Sequence, residues 1–247
     1  MMTVPYSSYE KMLCTDLDGT FIGDDDSMYE LLRVIEYKNI LLVFSTGRNL
    51  PSVKAFIDEK GIRKPDAYIL MVGTEVYLLS NEDFILDDNW RKIISQGWER
   101  EKIIRLLADI KELVRQDEQW QTEFKASYFL RDNTTEVLQE INRRMQKAKL
   151  KAHVIYSGGQ FLDFLPYLSG KAEALKYVAG SFGQRTDNVI VCGDSGNDLD
   201  MFKTGFKGII VGNAYAELKN YSGENAYHAI GEYSAGIIEG LRHFNFI

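Results

Sequence analysis

An apolar strand that runs straight into paired acids sets the terms for this chain. Apolar residues up to Cys14 are followed, after Thr15, by Asp16, Leu17, Asp18, Gly19 and Thr20. Strand alternation points Asp16 and Asp18 to one side, away from Leu17. Two carboxylates about 4 Å apart repel by roughly 4 kcal/mol at an effective dielectric near 20. Such a pair either shares a proton or recruits a cation. Oxygen-only ligands favour a hard ion, Mg²⁺ ahead of Zn²⁺ or Cu²⁺. The competing reading is an acidic turn closing a strand, since Asp and Gly are ordinary turn residues.

Similar units follow. Leu31, Leu32, Val34 and Ile35 have helical spacing within 27–37, and the apolar run 40–44 predicts a strand ending at Ser45-Thr-Gly-Arg48. A second helix is expected from Pro51 through 53–59, stopping at Gly61. Strands are predicted over 67–72 and 75–79. Apolar strands alternating with helices indicate a parallel sheet covered on both faces. The same texture resumes at Ser169-Gly-Lys171 with a helix, an apolar strand over 188–192, another over 208–211, and a helix over 234–246. The predicted class is α/β, a Rossmann-like doubly wound parallel-sheet core made of residues 1–80 and 169–247.

Between these halves the texture changes. Residues 87–117 read as long, charged and helical, 124–130 as a half-exposed strand, and 134–146 as an amphipathic helix. Residues 153–156 and 161–165 read as a hairpin around Ser157-Gly-Gly159. That segregation predicts an α+β unit with one open sheet face, inserted as residues 81–168.

A net charge of −7 argues against nucleic-acid or anionic-membrane partners. No apolar stretch approaches the roughly 20 residues of a membrane helix. Residues 1–9 lack the basic and apolar regions of a secretory signal. Cys14 and Cys192, the only cysteines, sit in apolar runs and read as core thiols of a cytoplasmic protein. His153, His228 and His243 are scattered, which removes a histidine zinc site.

Four polar loops then stand out: Asp16/Asp18, Thr46/Gly47, Lys171 at its helix start, and Gly193-Asp-Ser-Gly-Asn-Asp198. In open α/β sheets such loops converge outside the carboxyl ends of the strands. Carboxylates, a hydroxyl with glycine amides, and one lysine suit phosphoryl transfer, which relies on positioning and charge stabilisation. Asp16 can serve as nucleophile, giving an aspartyl-phosphate. Asp18 is placed to protonate the leaving alkoxide and later to deprotonate water. Lys171 and Mg²⁺ offset the repulsion between carboxylate and phosphate. Taken singly, Thr46-Gly47 also reads as a turn with a helix cap, and Lys171 as a solvated helix residue.

These four loops resemble the four motifs of the haloacid dehalogenase superfamily, in the right order and across nearly the whole chain. The α+β insertion resembles the Cof-like branch, whose cap shapes substrate choice. Val72-Gly-Thr-Glu75, Lys125-Ala-Ser-Tyr128, Ser157-Gly-Gly with Asp163, Leu165-Pro166 and Ala235-Gly-Ile are similar to sucrose-phosphate and mannosylfructose-phosphate phosphatases. The resemblance implies an Mg²⁺-dependent sugar-phosphate phosphatase with Asp16 as nucleophile and Asp18 as acid/base. It implies phosphate contacts from Thr46, Gly47 and Lys171, with Arg48 and Asn197 beside them. Mg²⁺ would be held by Asp16, the Asp18 carbonyl and Asp194, supported by Asn197 and Asp198. Lys125, Ser127, Tyr128, Ser157, Gly158 and Asp163 are the candidate sugar contacts. Gly19 departs from several sucrose-phosphate phosphatases, which carry Asn or His there.

Competing classes are a receiver-like signalling domain, a catalytically inactive sugar-phosphate binding module, a phosphomutase and a broad hexose-phosphate phosphatase. A receiver has about half this length, no inserted cap and no second acidic loop at the last core strand. Intact Asp16 and Asp18 speak against an inactive module.

Overall fold

The computed structural model describes residues 9–80 and 83–247, so the reading of residues 1–8 and the insertion boundary at Asn81 lie outside the described residues. β1 (Met12–Thr15), β2 (Leu41–Ser45) and β3 (Ala67–Leu70) alternate with α1 (Asp25–Tyr37) and α2 (Leu50–Lys60). All residues of these three strands are buried, as strands covered on both faces must be. Asp24 caps α1 by accepting from the Ser27 amide, and Asn49 caps α2 by accepting from Ser52. Two further strands, β4 (Glu75–Ser80) and β5 (Asp83–Leu86), run antiparallel at the edge.

The chain then forms α3 (Asp88–Ile94), α4 (Arg100–Leu107), β6 (Val114–Arg115), β7 (Ala126–Phe129), α5 (Thr134–Ala148), β8 (Ala152–Ser157) and β9 (Phe161–Pro166). It closes with α6 (Lys171–Ser181), β10 (Val189–Gly193), α7 (Leu199–Phe202), β11 (Lys207–Ile210), α8 (Ala216–Lys219), β12 (Ala226–His228) and α9 (Tyr233–His243).

One sheet has the order β12-β11-β10-β1-β2-β3-β4-β5, parallel from β12 through β3. The chain steps from β1 to β2 on one side and later to β10 on the other. The crevice at that switch is where open α/β sheets bind ligands. Helices α1, α2 and α9 cover one face, with Leu31, Phe56 and Ile237 in the core; α3, α6 and α7 cover the other, with Trp90, Leu175 and Met201. The core is therefore a three-layer α/β unit.

The second sheet is antiparallel, in the order β6-β7-β9-β8. Its Ala126, Tyr128, Leu162 and Phe164 pack against Ile103 and Leu107 of α4 and Ile141 and Met145 of α5. The opposite face carries Ile155 and Leu165, which meet Val72 of the large unit.

The single helix expected over 87–117 is two helices broken around Gly97 (φ +71), the second ending at Leu107, with strand β6 standing where helix was expected. The physical reason is that they serve different cores. Trp90 and Ile94 bury against the large sheet, whereas Ile103 and Leu107 bury against the small one. β5 and β12 have no counterpart in the sequence reading, being short and only partly buried. β3 stops at Leu70 because Met71, Val72 and Gly73 all take positive φ, at 51°, 59° and 87°. No helix among the described residues is long and apolar enough to cross a membrane.

Two glycines separate backbone strain from crowding. At Gly61 (φ +59) an added Cβ meets nothing within 4 Å, whereas at Gly73 it would lie 2.2 Å from the Gly170 carbonyl carbon. Gly61→Ala should cost about 1 kcal/mol of stability, from the left-handed backbone alone. Gly73→Ala should cost at least about 2 kcal/mol, because a backbone clash is added. Urea unfolding of both variants checks this; equal losses would show that the Gly73 contact does not matter.

Candidate active site

Asp16 extends the β1–β10 ladder by one residue, its amide donating to the Cys192 carbonyl at 3.0 Å. Its carboxylate is thereby fixed at the carboxyl end of the central strand, buried. Lys171, the first residue of α6, places its Nζ 2.6 Å from Asp16 Oδ1 and 2.6 Å from Asp198 Oδ1. It does not follow a strand of the large sheet; the chain enters α6 from β9 of the small sheet. Asp198 Oδ2 accepts from the amides of Asp194 and Ser195, both at 3.1 Å, so this side chain ties the acidic loop to the lysine.

Burial opposes the charge on Lys171, but Asp16 and Asp198 outweigh it and hold the ammonium above its ordinary pKa. Burial also raises the Asp16 carboxyl, opposed by Lys171 and reinforced by Asp198 and Asp194. Asp194 is pushed up to about 7, by burial first and then by Asp198. These are the marks of a site with too much negative charge for its cations.

Asp16, Asp194 and Asp198 each offer an oxygen, all within 4.8 Å of one another. Lys171 takes Oδ1 of Asp16 and Thr20 takes Oδ1 of Asp194 at 3.1 Å, which leaves a second oxygen of each for a cation. Asp198, in contrast, is engaged at both oxygens and acts as an anchor. Asn197 Oδ1 is buried without a hydrogen-bond partner among the described residues, and Asn197 lines the same pocket. Hard oxygen donors and an orphaned amide oxygen fit a divalent cation of the Mg²⁺ type. Gly19 (φ +81) lets the backbone lie close to this cluster, since a Cβ there would fall 2.5 Å from Asp194 Oδ2.

Asp18 lies apart from the acidic cluster. Its half-exposed carboxylate faces Arg48, which donates from Nε at 2.7 Å and from Nη2 at 2.5 Å. β1 has ended at Thr15, so strand alternation no longer governs where Asp18 points. Thr46 is buried at the end of β2 and its Oγ1 accepts from the Arg48 amide at 3.2 Å.

A cavity of about 490 Å³ joins both sheets, within the range that holds small-molecule ligands. It is lined by Asp16, Asp18, Thr46, Gly47, Arg48, Lys125, Ser157, Gly158, Asp163, Asp194 and Asn197 from the sequence reading. Lys171 and Asp198 sit beneath it, fully buried. Lys125 and Asp163 are paired at 3.3 Å and nearly inaccessible. Ser127 lies behind them, donating to Asp163 Oδ1 at 2.5 Å, outside the cavity lining. Tyr128 is on the wrong face for a sugar contact. Alternation along β7 turns it away from Lys125 and into the small unit's core, edge-on to Phe164 at 5.9 Å.

Gln116, Trp120, Phe129, Phe161 and Tyr215 also line the cavity and were not singled out in the sequence. Phe129 and Phe161 share faces with Lys125 and Asp163 by the same period-two rule, a signal the sequence does carry. Gln116 and Tyr215 lie on irregular segments and Trp120 on a single 3₁₀ turn, none with such a signal.

Residues 9–245 match the family model described as sucrose-6F-phosphate phosphohydrolase. Sucrose-phosphatase 2 of Nicotiana tabacum is 33% identical over 97% of this chain and 60% of its own length. The chain thus spans about 60% of the tobacco enzyme's length. Mannosylfructose-phosphate phosphatase of Agrobacterium fabrum is 33% identical over 95% of this chain and 96% of its own. The structure of a sucrose-phosphatase from Synechocystis in complex with sucrose and phosphate superposes with a TM-score of 0.90 at 28% identity, covering 96% of this chain and 98% of that one. The matched span, the fold and the convergence of four acidic, hydroxyl and lysine loops agree, and the chain belongs to the sucrose-6F-phosphate phosphohydrolase family within the haloacid dehalogenase fold.

Proposed function

We propose that this chain hydrolyses a sugar phosphate monoester, sucrose 6-phosphate first among them, through an aspartyl-phosphate on Asp16. The observation that carries the reading is the buried Lys171 bridge between Asp16 and Asp198, lying beneath a cavity with Lys125 and Asp163 in its lining. Within the inserted 81–168 stretch, α4 through β9 would act as the cap, while β5 and α3 pack with residues 1–80 and 169–247 as the catalytic core.

Lys171 holds the Asp16 carboxylate at a fixed position and supplies positive charge where the phosphoryl group would arrive. Thr46 and the Gly47 backbone flank that position and suit phosphate oxygens. Asp16 attacks phosphorus, forming its O–P bond as the bond to the sugar oxygen breaks. Asp18, freed from Arg48 and carrying a proton, passes that proton to the sugar oxygen. It then takes a proton from the water that attacks the aspartyl-phosphate, releasing inorganic phosphate and restoring Asp16. Mg²⁺, held by Asp16, Asp194 and Asn197 with the Asp18 carbonyl, would neutralise charge on the phosphate and the acidic cluster. Lys125 and Asp163 offer a donor and an acceptor for hydroxyls on the far part of the sugar.

A second substrate, a mannosylfructose phosphate, is favoured by the Agrobacterium relative, which this chain matches over 96% of that protein's length. Phosphate release from sucrose 6-phosphate, mannosylfructose phosphate, trehalose 6-phosphate and hexose phosphates decides between them. No release from any of them with Mg²⁺ present would overturn the reading.

Asp16→Asn should abolish turnover, and Asp18→Asn should slow it by roughly 10²–10⁴ while substrate still binds. Steady-state kinetics on folded variants checks both. Exhaustive chelation should silence the enzyme and Mg²⁺ restore it, while Ca²⁺, with its longer bonds and larger ligand number, should inhibit. Full activity in chelated buffer would rule the mechanism out. Lys125→Ala and Asp163→Ala should lower kcat/KM for sucrose 6-phosphate far more than for a small aryl phosphate, because remote binding energy also speeds chemistry. Equal losses on the two substrates would place sugar recognition elsewhere.

A further inference from the structure

His153 stands on β8 at the junction of the two sheets, and the hydrolysis scheme does not use it. Alternation along β8 sets His153, Ile155 and Ser157 on the side facing the large unit. Ile155 meets Val72 and Ser157 lines the cavity, so His153 closes the far end of that stripe. Its ring contacts two other segments. Nδ1 lies 3.1 Å from the Ser169 carbonyl oxygen, in the link that enters α6. Nε2 lies 2.9 Å from Asp200 Oδ2, on α7 just after the acidic loop. Gly170 (φ +112) makes room for the ring, since a Cβ there would come 2.8 Å from Nδ1.

A carbonyl oxygen and an ionised carboxylate only accept hydrogen bonds. Both ring nitrogens must then donate, and only the imidazolium carries two N–H groups. We propose that His153 is a positioning residue: a doubly protonated clamp that ties the small sheet to the link before Lys171 and to α7, and so sets the height of Ser157 and Asp163 above the phosphate loops. The proposal rests on the hydrolase reading for its effect on rate, but not for the clamp itself.

The charges facing the ring fit this role. Asp200 on α7 is the contacting anion, Glu173 on α6 adds a second, and Lys203 just after α7 pairs with Asp200 at 2.9 Å. The hydrogen bond to Asp200 is the largest influence on the imidazole and, despite partial burial, raises its pKa above 6.5. A raised folded value means that the pairing stabilises fully below the unfolded pKa and is lost as pH climbs through the folded one.

The test has one arm that needs no activity. Ring nitrogen NMR on histidine-labelled protein at about pH 7.5, where an ordinary histidine is mostly neutral, should show His153 with both nitrogens protonated. A spectrum of a neutral ring would overturn the clamp. Spin labels at Glu36→Cys and Lys147→Cys, both exposed while the native thiols are buried, report the distance between the two units. His153→Gln, whose single amide nitrogen cannot stand at both ring-nitrogen positions, should broaden that distance distribution; an unchanged distribution refutes the proposal. In the same variant kcat/KM for sucrose 6-phosphate should fall about tenfold to a hundredfold, the scale of a remote misplacement. Turnover of p-nitrophenyl phosphate should change by less than about twofold, since it lacks the sugar hydroxyls that Lys125 and Asp163 would bind. Equal losses on both substrates would show a merely structural role. Absence of turnover on either in the wild type would sink the hydrolase reading and leave the NMR and distance arms to decide the clamp.

Discussion

A single buried ammonium holds three distant stretches of chain in register. Lys171 reaches Asp16 at the end of β1 and Asp198 in the loop after β10; its Nζ and Asp198 are sealed from water, and Asp16 opens only onto the cavity. Removing one partner from such a group typically costs about 3–5 kcal/mol, because a buried charge is left uncompensated. The bridge is also incomplete. Three carboxylates against one ammonium leave two negative charges in excess, which adds to burial in raising Asp194 and is why a divalent cation suits the cluster. Charge balance therefore connects the stability of the core to the chemistry it supports.

The small sheet solves a different problem with strand periodicity. Along β7 and β9 alternate residues enter its own core, and the intervening ones, Lys125, Phe129, Phe161 and Asp163, line the cavity. In register, Ser127 stands opposite Asp163 and holds it from behind. Aromatic rings and a buried ion pair thus share one wall of the cavity. That combination suits a sugar, whose ring has both apolar faces and hydroxyl edges.

Much of this was legible because it depends on residue identity at strand ends. Asp16, Thr46 and Asp194 each close a largely apolar strand run, and strand-end loops of a parallel sheet converge. Lys171 was legible only as a residue type, since nothing local says that its side chain is buried. The break at Gly97 was missed because both halves of 87–117 are amphipathic, and helical period alone does not reveal that they bury against separate cores. Tyr128 entered as part of the Lys125-Ala-Ser-Tyr128 resemblance, and the strand's own period, which sets it opposite to Lys125 and Ser127, already points it into the small unit's core. Trp120 and Tyr215 reach the cavity through tertiary folding of a single 3₁₀ turn and an irregular segment, which no spacing rule reports.

The turn after β3 has a consequence of another kind. Met71 and Val72 are held in left-handed backbone at roughly 1–2 kcal/mol each, and Val72 is β-branched, the type least suited to it. The Met71 and Val72 amides bond to the carbonyls of Arg48 and Thr46, both at 3.1 Å, and the Trp90 indole bonds to Gly73 at 3.2 Å. The segment behind Thr46 is therefore a loaded spring rather than a slack connector. A glycine at Val72 would unload it, but would delete the side chain that meets Ile155 and Leu165 across the junction. Position 72 is thus caught between relaxing the turn and keeping the two units in touch, and valine serves the second at the expense of the first.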